Sequence, residues 1–78
     1  MRDTAPRLVL TFHTTAEAMA VERLCRKEGL AGRLISAPRR LTSDCGIAWC
    51  APVESRTALL EALTAAGVEA AGVHELVL

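Results

Sequence analysis

The sequence is poor in aromatic residues, with one Trp, one Phe and no Tyr among 78 residues. So few rings leave no platform on which nucleic-acid bases could stack. Excess charge is missing too: nine basic and nine acidic residues cancel, which removes the electrostatic footprint of a nucleic-acid or polyanion binder. No apolar run approaches the roughly 20 residues that span a bilayer, and no charged-then-apolar segment opens the chain. A soluble, cytoplasmic protein without a membrane partner is expected. There is no phosphate-cradling glycine loop, no pair of catalytic carboxylates and no Ser-His-Asp set. A self-contained enzyme is therefore not the expectation, and no cofactor is implied.

What is present is a globular composition, 51% hydrophobic and 23% charged, in a length that allows one domain, residues 1–78, with a modest core. The three cysteines, Cys25, Cys45 and Cys50, are an odd number without CxxC or other close metal-ligand spacing. Unpaired thiols of this kind fit a reducing compartment, where a cysteine either packs or does chemistry.

Residues 1–6 read as a frayed start ending at Pro6. From Arg7 to His13 the pattern alternates as in a strand, with Leu8, Leu10 and Phe12 on one face and Arg7, Val9, Thr11 and His13 on the other. Thr14 with Glu17 three residues on matches a capping box and predicts a helix from about Thr15 to Glu28. Its apolar side gathers Ala18, Val21, Leu24 and Cys25, which makes Cys25 a packing residue. Gly29 is its expected C-cap. A short strand over Gly32 to Ala37 ends at Pro38, and a third runs over Gly46 to Ala51. Pro52 is expected to open a second helix, with Glu54 in its first turn. Leu59, Leu60, Leu63 and Ala66 form its apolar face and Gly67 its stop. A fourth strand covers Val73 to Leu78, with a bend or bulge at Gly72.

The order strand, helix, strand, strand, helix, strand predicts an α+β ferredoxin-like βαββαβ domain: a four-stranded antiparallel sheet with two helices on one face. Such a sheet leaves its other face open. If Trp49 lies there, a second copy should cover it, and a homodimer through the open sheet face follows.

Chemistry is concentrated in Pro38 to Cys50. Arg39 and Arg40 lead into Thr42-Ser43-Asp44, which delivers Cys45 onto Gly46. A thiol in a polar loop is within reach of solvent, and Gly46 lets a ligand approach the neighbouring backbone. In the expected topology the first strand lies antiparallel beside the third. His13, Thr14, Thr15 and the amides opening the first helix then share an edge with the Cys45 loop. A helix N-terminus and two arginines favour a thiolate, whereas Asp44 opposes it. Cys45 is expected to be partly thiolate near neutral pH, with Arg39 and Arg40 as anion or carboxylate contacts and His13 placed to orient or protonate a group bound there. A Cys45–Cys50 redox pair would need the strand to bend back, since the two lie near 15 Å apart along a regular strand. A zinc site of Cys45, Cys50 and His13 lacks a fourth ligand, and no metal site is expected.

The stretch Thr11-Phe12-His13-Thr14-Thr15, the helix AEAMAVERLCRKEGL, and Ala37-Pro38-Arg39 followed by Cys45-Gly46 resemble the selenium/sulfur carrier-like family of small bacterial proteins, over about Leu8 to Val73. The resemblance implies that Cys45 holds sulfur or selenium as a persulfide or selenopersulfide between a donor enzyme and an acceptor protein. One cysteine is sufficient for such a cycle. The Cys-Pro-x-Pro element of other small sulfur carriers is absent. The alternatives are a non-catalytic ligand-sensing or protein-interaction module of the same fold, and a small metal-binding protein.

Overall fold

The structure is a computed structural model that describes residues 4–41 and 45–78. Thr42, Ser43 and Asp44, read above as the polar lead into Cys45 and as a charge opposing the arginines, lie outside the described residues. The elements are β1 (Pro6–Thr11), α1 (Thr15–Glu28), β2 (Arg33–Ser36), β3 (Ile47–Pro52), a 3₁₀ turn (Val53–Ser55), α2 (Arg56–Ala66) and β4 (Gly72–Val77). The four strands form one antiparallel sheet in the order β2-β3-β1-β4. This is the ferredoxin-like βαββαβ arrangement that the sequence pattern predicts.

Local chemistry accounts for α1. The Thr14 hydroxyl accepts from the Glu17 amide at 3.2 Å, and the Glu17 carboxylate accepts from the Thr14 amide at 3.3 Å, closing the capping box. At the other end Gly29 adopts a left-handed φ of 71° and its amide returns to the carbonyls of the last turn, a conformation that a side chain would penalise. Between these caps, Ala18, Val21 and Cys25 face inward and are buried.

Those residues meet the sheet. Leu8, Leu10 and Phe12 of the first strand and its exit, Trp49 and Ala51 of β3, and Leu59 and Leu63 of α2 complete the cluster between sheet and helices. Trp49 is only 3% exposed within it. The indole therefore faces the helices, and the ground for a dimer built on an open-face tryptophan is removed. Close packing at Trp49 depends on Gly32, where a Cβ would stand 2.5 Å from indole Nε1.

Three boundaries differ from the sequence reading. Ala5, placed in a frayed lead-in, exchanges two backbone hydrogen bonds of 3.1 Å with Leu78. Pro52 ends β3 opposite Arg7 and does not open a helix. A 3₁₀ turn follows, and α2 starts at Arg56 without a side-chain cap. Gly72 holds regular register opposite Thr11, without a bulge. A Cβ there would lie 2.7 Å from His74 Nε2 and 2.8 Å from Thr11 Oγ1, so close approach explains the glycine. In α2 the buried leucines are Leu59 and Leu63, while Ala66 is exposed.

The face away from the helices carries one continuous row across the sheet: Arg33 opposite Cys50, Cys50 opposite Val9, and Val9 opposite His74. Val9 is fully buried between its neighbours although no helix covers it. Among the described residues no helix is long and apolar enough to cross a membrane.

Candidate functional site

The β2–β3 connection is pinned at its base, where the Ala37 amide donates to the Gly46 carbonyl at 2.9 Å. Just past Ala37 the chain makes a turn closed by the Leu41 amide on the Pro38 carbonyl at 3.0 Å. Arg39 and Arg40 occupy its corners and are exposed.

Cys45 stands at the other end of this loop. It is half-buried and packs against the edge of the core cluster. Its Sγ donates to the Ile47 carbonyl at 3.5 Å, a contact that orients the thiol toward the start of β3. Gly46 next to it has a φ of 76°, with nothing within 4 Å of the Cβ position. The glycine is there for backbone conformation, and the space beside it is open to an approaching group.

Topology then sets the neighbourhood. Thr11, the last residue of β1, lies opposite Ala48, the second of β3. The exit of β1, the start of α1 and the Cys45–Gly46 corner therefore share one end of the sheet, and His13, Thr14 and Thr15 come to that end. His13 is exposed, and its amide donates to Glu17 Oε1 at 2.8 Å. Glu17 thus takes two of the amides at the mouth of α1, those of His13 and Thr14. The sequence reading placed the amides opening α1 at the service of an anionic sulfur. In the fold a resident carboxylate already takes two of those at the helix mouth, which weakens the positive end of the helix dipole.

The other two thiols are differently housed. Cys25 is 1% exposed, and burial pushes its thiol up from the ordinary value. A neutral, sealed cysteine of this kind is inert packing, as its helical position suggested. Cys50 is half-buried on the open face. All three remain thiols. Cys50 lies within the regular ladder of β3, and Cys45 precedes that strand across the Gly46 corner. Among the described residues no group of three or more His, Cys, Asp or Glu gathers as a metal set.

Sequence reasoning missed the Arg33–Cys50–Val9–His74 row. The alternation of β1, which puts Arg7 and Val9 on the face away from Leu8 and Leu10, was the available signal. It gives no hint of which residues of β2, β3 and β4 join them.

Fold and site together define a small ferredoxin-like α+β domain with a thiol on an irregular loop at one end of its sheet. Residues 7–75 match the family described as Putative Se/S carrier protein-like. The match spans most of the chain, and the protein belongs to that family. No curated protein and no solved structure gives a significant match.

Proposed function

We propose that this protein is a sulfur or selenium carrier and that Cys45 is its acceptor. The observation that carries the reading is the placement of Cys45: within a chain of carrier-family sequence, it is the cysteine on an irregular loop, beside an open glycine corner. Cys25 is sealed in the core and Cys50 is held within a sheet ladder.

In the loading step Cys45 gives up the proton it shares with the Ile47 carbonyl and attacks the terminal sulfur of a donor enzyme's persulfide. The new Cys45 S–S bond forms as the donor's S–S bond breaks, and the donor cysteine leaves as a thiolate that takes up a proton. Unloading is the same exchange with the acceptor's thiolate as the attacking group, and no oxidant is consumed. The Gly46 corner leaves room for both partners, Arg39 and Arg40 offer them cationic contacts, and His13, Thr14 and Thr15 line the approach from the α1 side. Membership of a carrier family implies work with other proteins. The cytoplasm, where thiols stay reduced, suits this chemistry.

Incubation with a cysteine desulfurase and cysteine, followed by intact-mass measurement, tests the reading. The expected result is a gain of one sulfur atom that is lost in Cys45→Ser and kept in Cys25→Ser and Cys50→Ser. No gain with an active donor would move the protein to the ligand-binding or interaction class.

A further inference from the structure

We propose a second site on the open face of the sheet, a hollow in which Arg7 and Arg33 receive the anionic head of a small organic molecule over the Cys50 thiol. The hollow has a volume of about 420 Å³, and its lining includes Arg7, Arg33, Cys50, Ile35, Pro52 and Leu78. It lies at the end of the sheet where β1 begins and β3 finishes, away from the Cys45 corner, and it does not depend on the carrier reading.

Register brings the two cations together. Arg33 is directly opposite Cys50, and Arg7 is opposite Pro52, two residues further along the same face of β3. Direct partners have Cβ atoms about 5 Å apart and diagonal ones about 7–8 Å, so both guanidinium groups can reach the space above Cys50. Among the described residues no Asp or Glu lines the hollow. Among the described residues the ion pairs are Arg26 with Glu22 and Arg56 with Glu75, so neither Arg7 nor Arg33 has a carboxylate partner. The terminal carboxylate of Leu78 makes no ion pair with either arginine among the described residues, so two guanidinium groups facing one hollow favour an added anion, and their planar forks match the paired oxygens of carboxylate or phosphate.

The remaining lining fixes the ligand class. Ile35, Pro52 and the side chain of Leu78 are apolar, which suits a carbon body behind the charged head. The volume falls in the small-molecule range. The Cys50 thiol below can exchange with an anionic disulfide: its thiolate attacks one sulfur, the S–S bond breaks, and the other half leaves as a thiolate.

The test uses Cys45→Ser, in which Cys50 is the one half-exposed thiol. Its labelling rate is measured with dianionic dithiobis-nitrobenzoate and with uncharged dipyridyl disulfide. The anionic reagent is expected to lose roughly tenfold in rate when Arg7→Gln and Arg33→Gln are combined, the scale of electrostatic steering. The uncharged reagent should keep its rate, which also reports that Cys50 exposure is unchanged. Benzoate and phenyl phosphate, added separately, should slow labelling, and neutral benzamide should not. Equal protection by benzamide, no protection by either anion, or an anionic rate indifferent to the arginines would overturn the site. Tighter protection by an Asp/Glu-rich peptide than by benzoate would assign the face to a protein partner and overturn the small-molecule reading.

Discussion

The carboxylate of Glu17 accepts the backbone amide of His13 at 2.8 Å, so the mouth of α1 is occupied by one of the chain's own anions. This contact links the stability of the fold to the chemistry proposed at Cys45. A capping carboxylate stabilises the helix start through the same partial charge that would stabilise a thiolate.

Thr14→Ala and Glu17→Gln separate those two effects. Thr14→Ala removes the side-chain acceptor of the Glu17 amide and should cost about 1 kcal/mol in urea denaturation. Glu17→Gln keeps an acceptor at the mouth and removes the charge. It should cost less, and it should speed alkylation of Cys45 while leaving that of Cys50 unchanged. Equal rates for Cys45 in wild type and Glu17→Gln would detach Cys45 from the helix mouth.

Gly32→Ala should be among the most damaging single-methyl changes in the chain. The added Cβ would meet the Trp49 indole at 2.5 to 2.7 Å, on a backbone with a φ of 144° that side chains rarely adopt. Overpacking and backbone strain together cost roughly 2–4 kcal/mol. Since Trp49 is the only tryptophan, a red shift of its fluorescence reports the displacement directly. An unshifted spectrum with wild-type stability would mean that the β2 entrance relaxes freely.

Gly46→Ala isolates conformation from packing. Nothing lies near its Cβ position, but its φ is 76°, so the loss should be limited to the left-handed penalty, about 1 kcal/mol. The sulfur gain at Cys45 should fall further than stability does, because the open corner beside the thiol is filled. That comparison needs only a denaturation curve and the intact-mass assay on the same sample.

Cys25 gives the fold an alkaline limit. Burial raises its folded-state value above the ordinary thiol value, so the stability tied to the neutral thiol is fully present below the unfolded value. It is lost as pH rises through the folded one, because the unfolded chain releases a proton that the folded chain keeps. Urea melts from neutral pH to above about pH 10 should show this decline, and Cys25→Ala should flatten it. The same variant leaves a small void in the core and should cost roughly 1 kcal/mol at neutral pH.

The sequence by itself determined what is local. Thr14 and Glu17 are three residues apart, so the start of α1 could be read directly from their pairing, and Gly29 and Gly67 marked helix ends because only their own φ values were in question. The order of strands and helices, and with it the ferredoxin-like class, followed from periodicity. What the tertiary structure decided concerns faces and meetings. The run Ile47-Ala48-Trp49-Cys50-Ala51 is apolar on both sides, so its alternation could not say whether Trp49 or Cys50 faced the helices, and a shift of one residue in register would have exchanged them. Pro52 carries no signal that separates the end of a strand from the first turn of a helix. Its pairing with Arg7 in β1 settles the matter. Arg7, Arg33 and Cys50 come from three strands, and only long-range backbone hydrogen bonding sets them side by side.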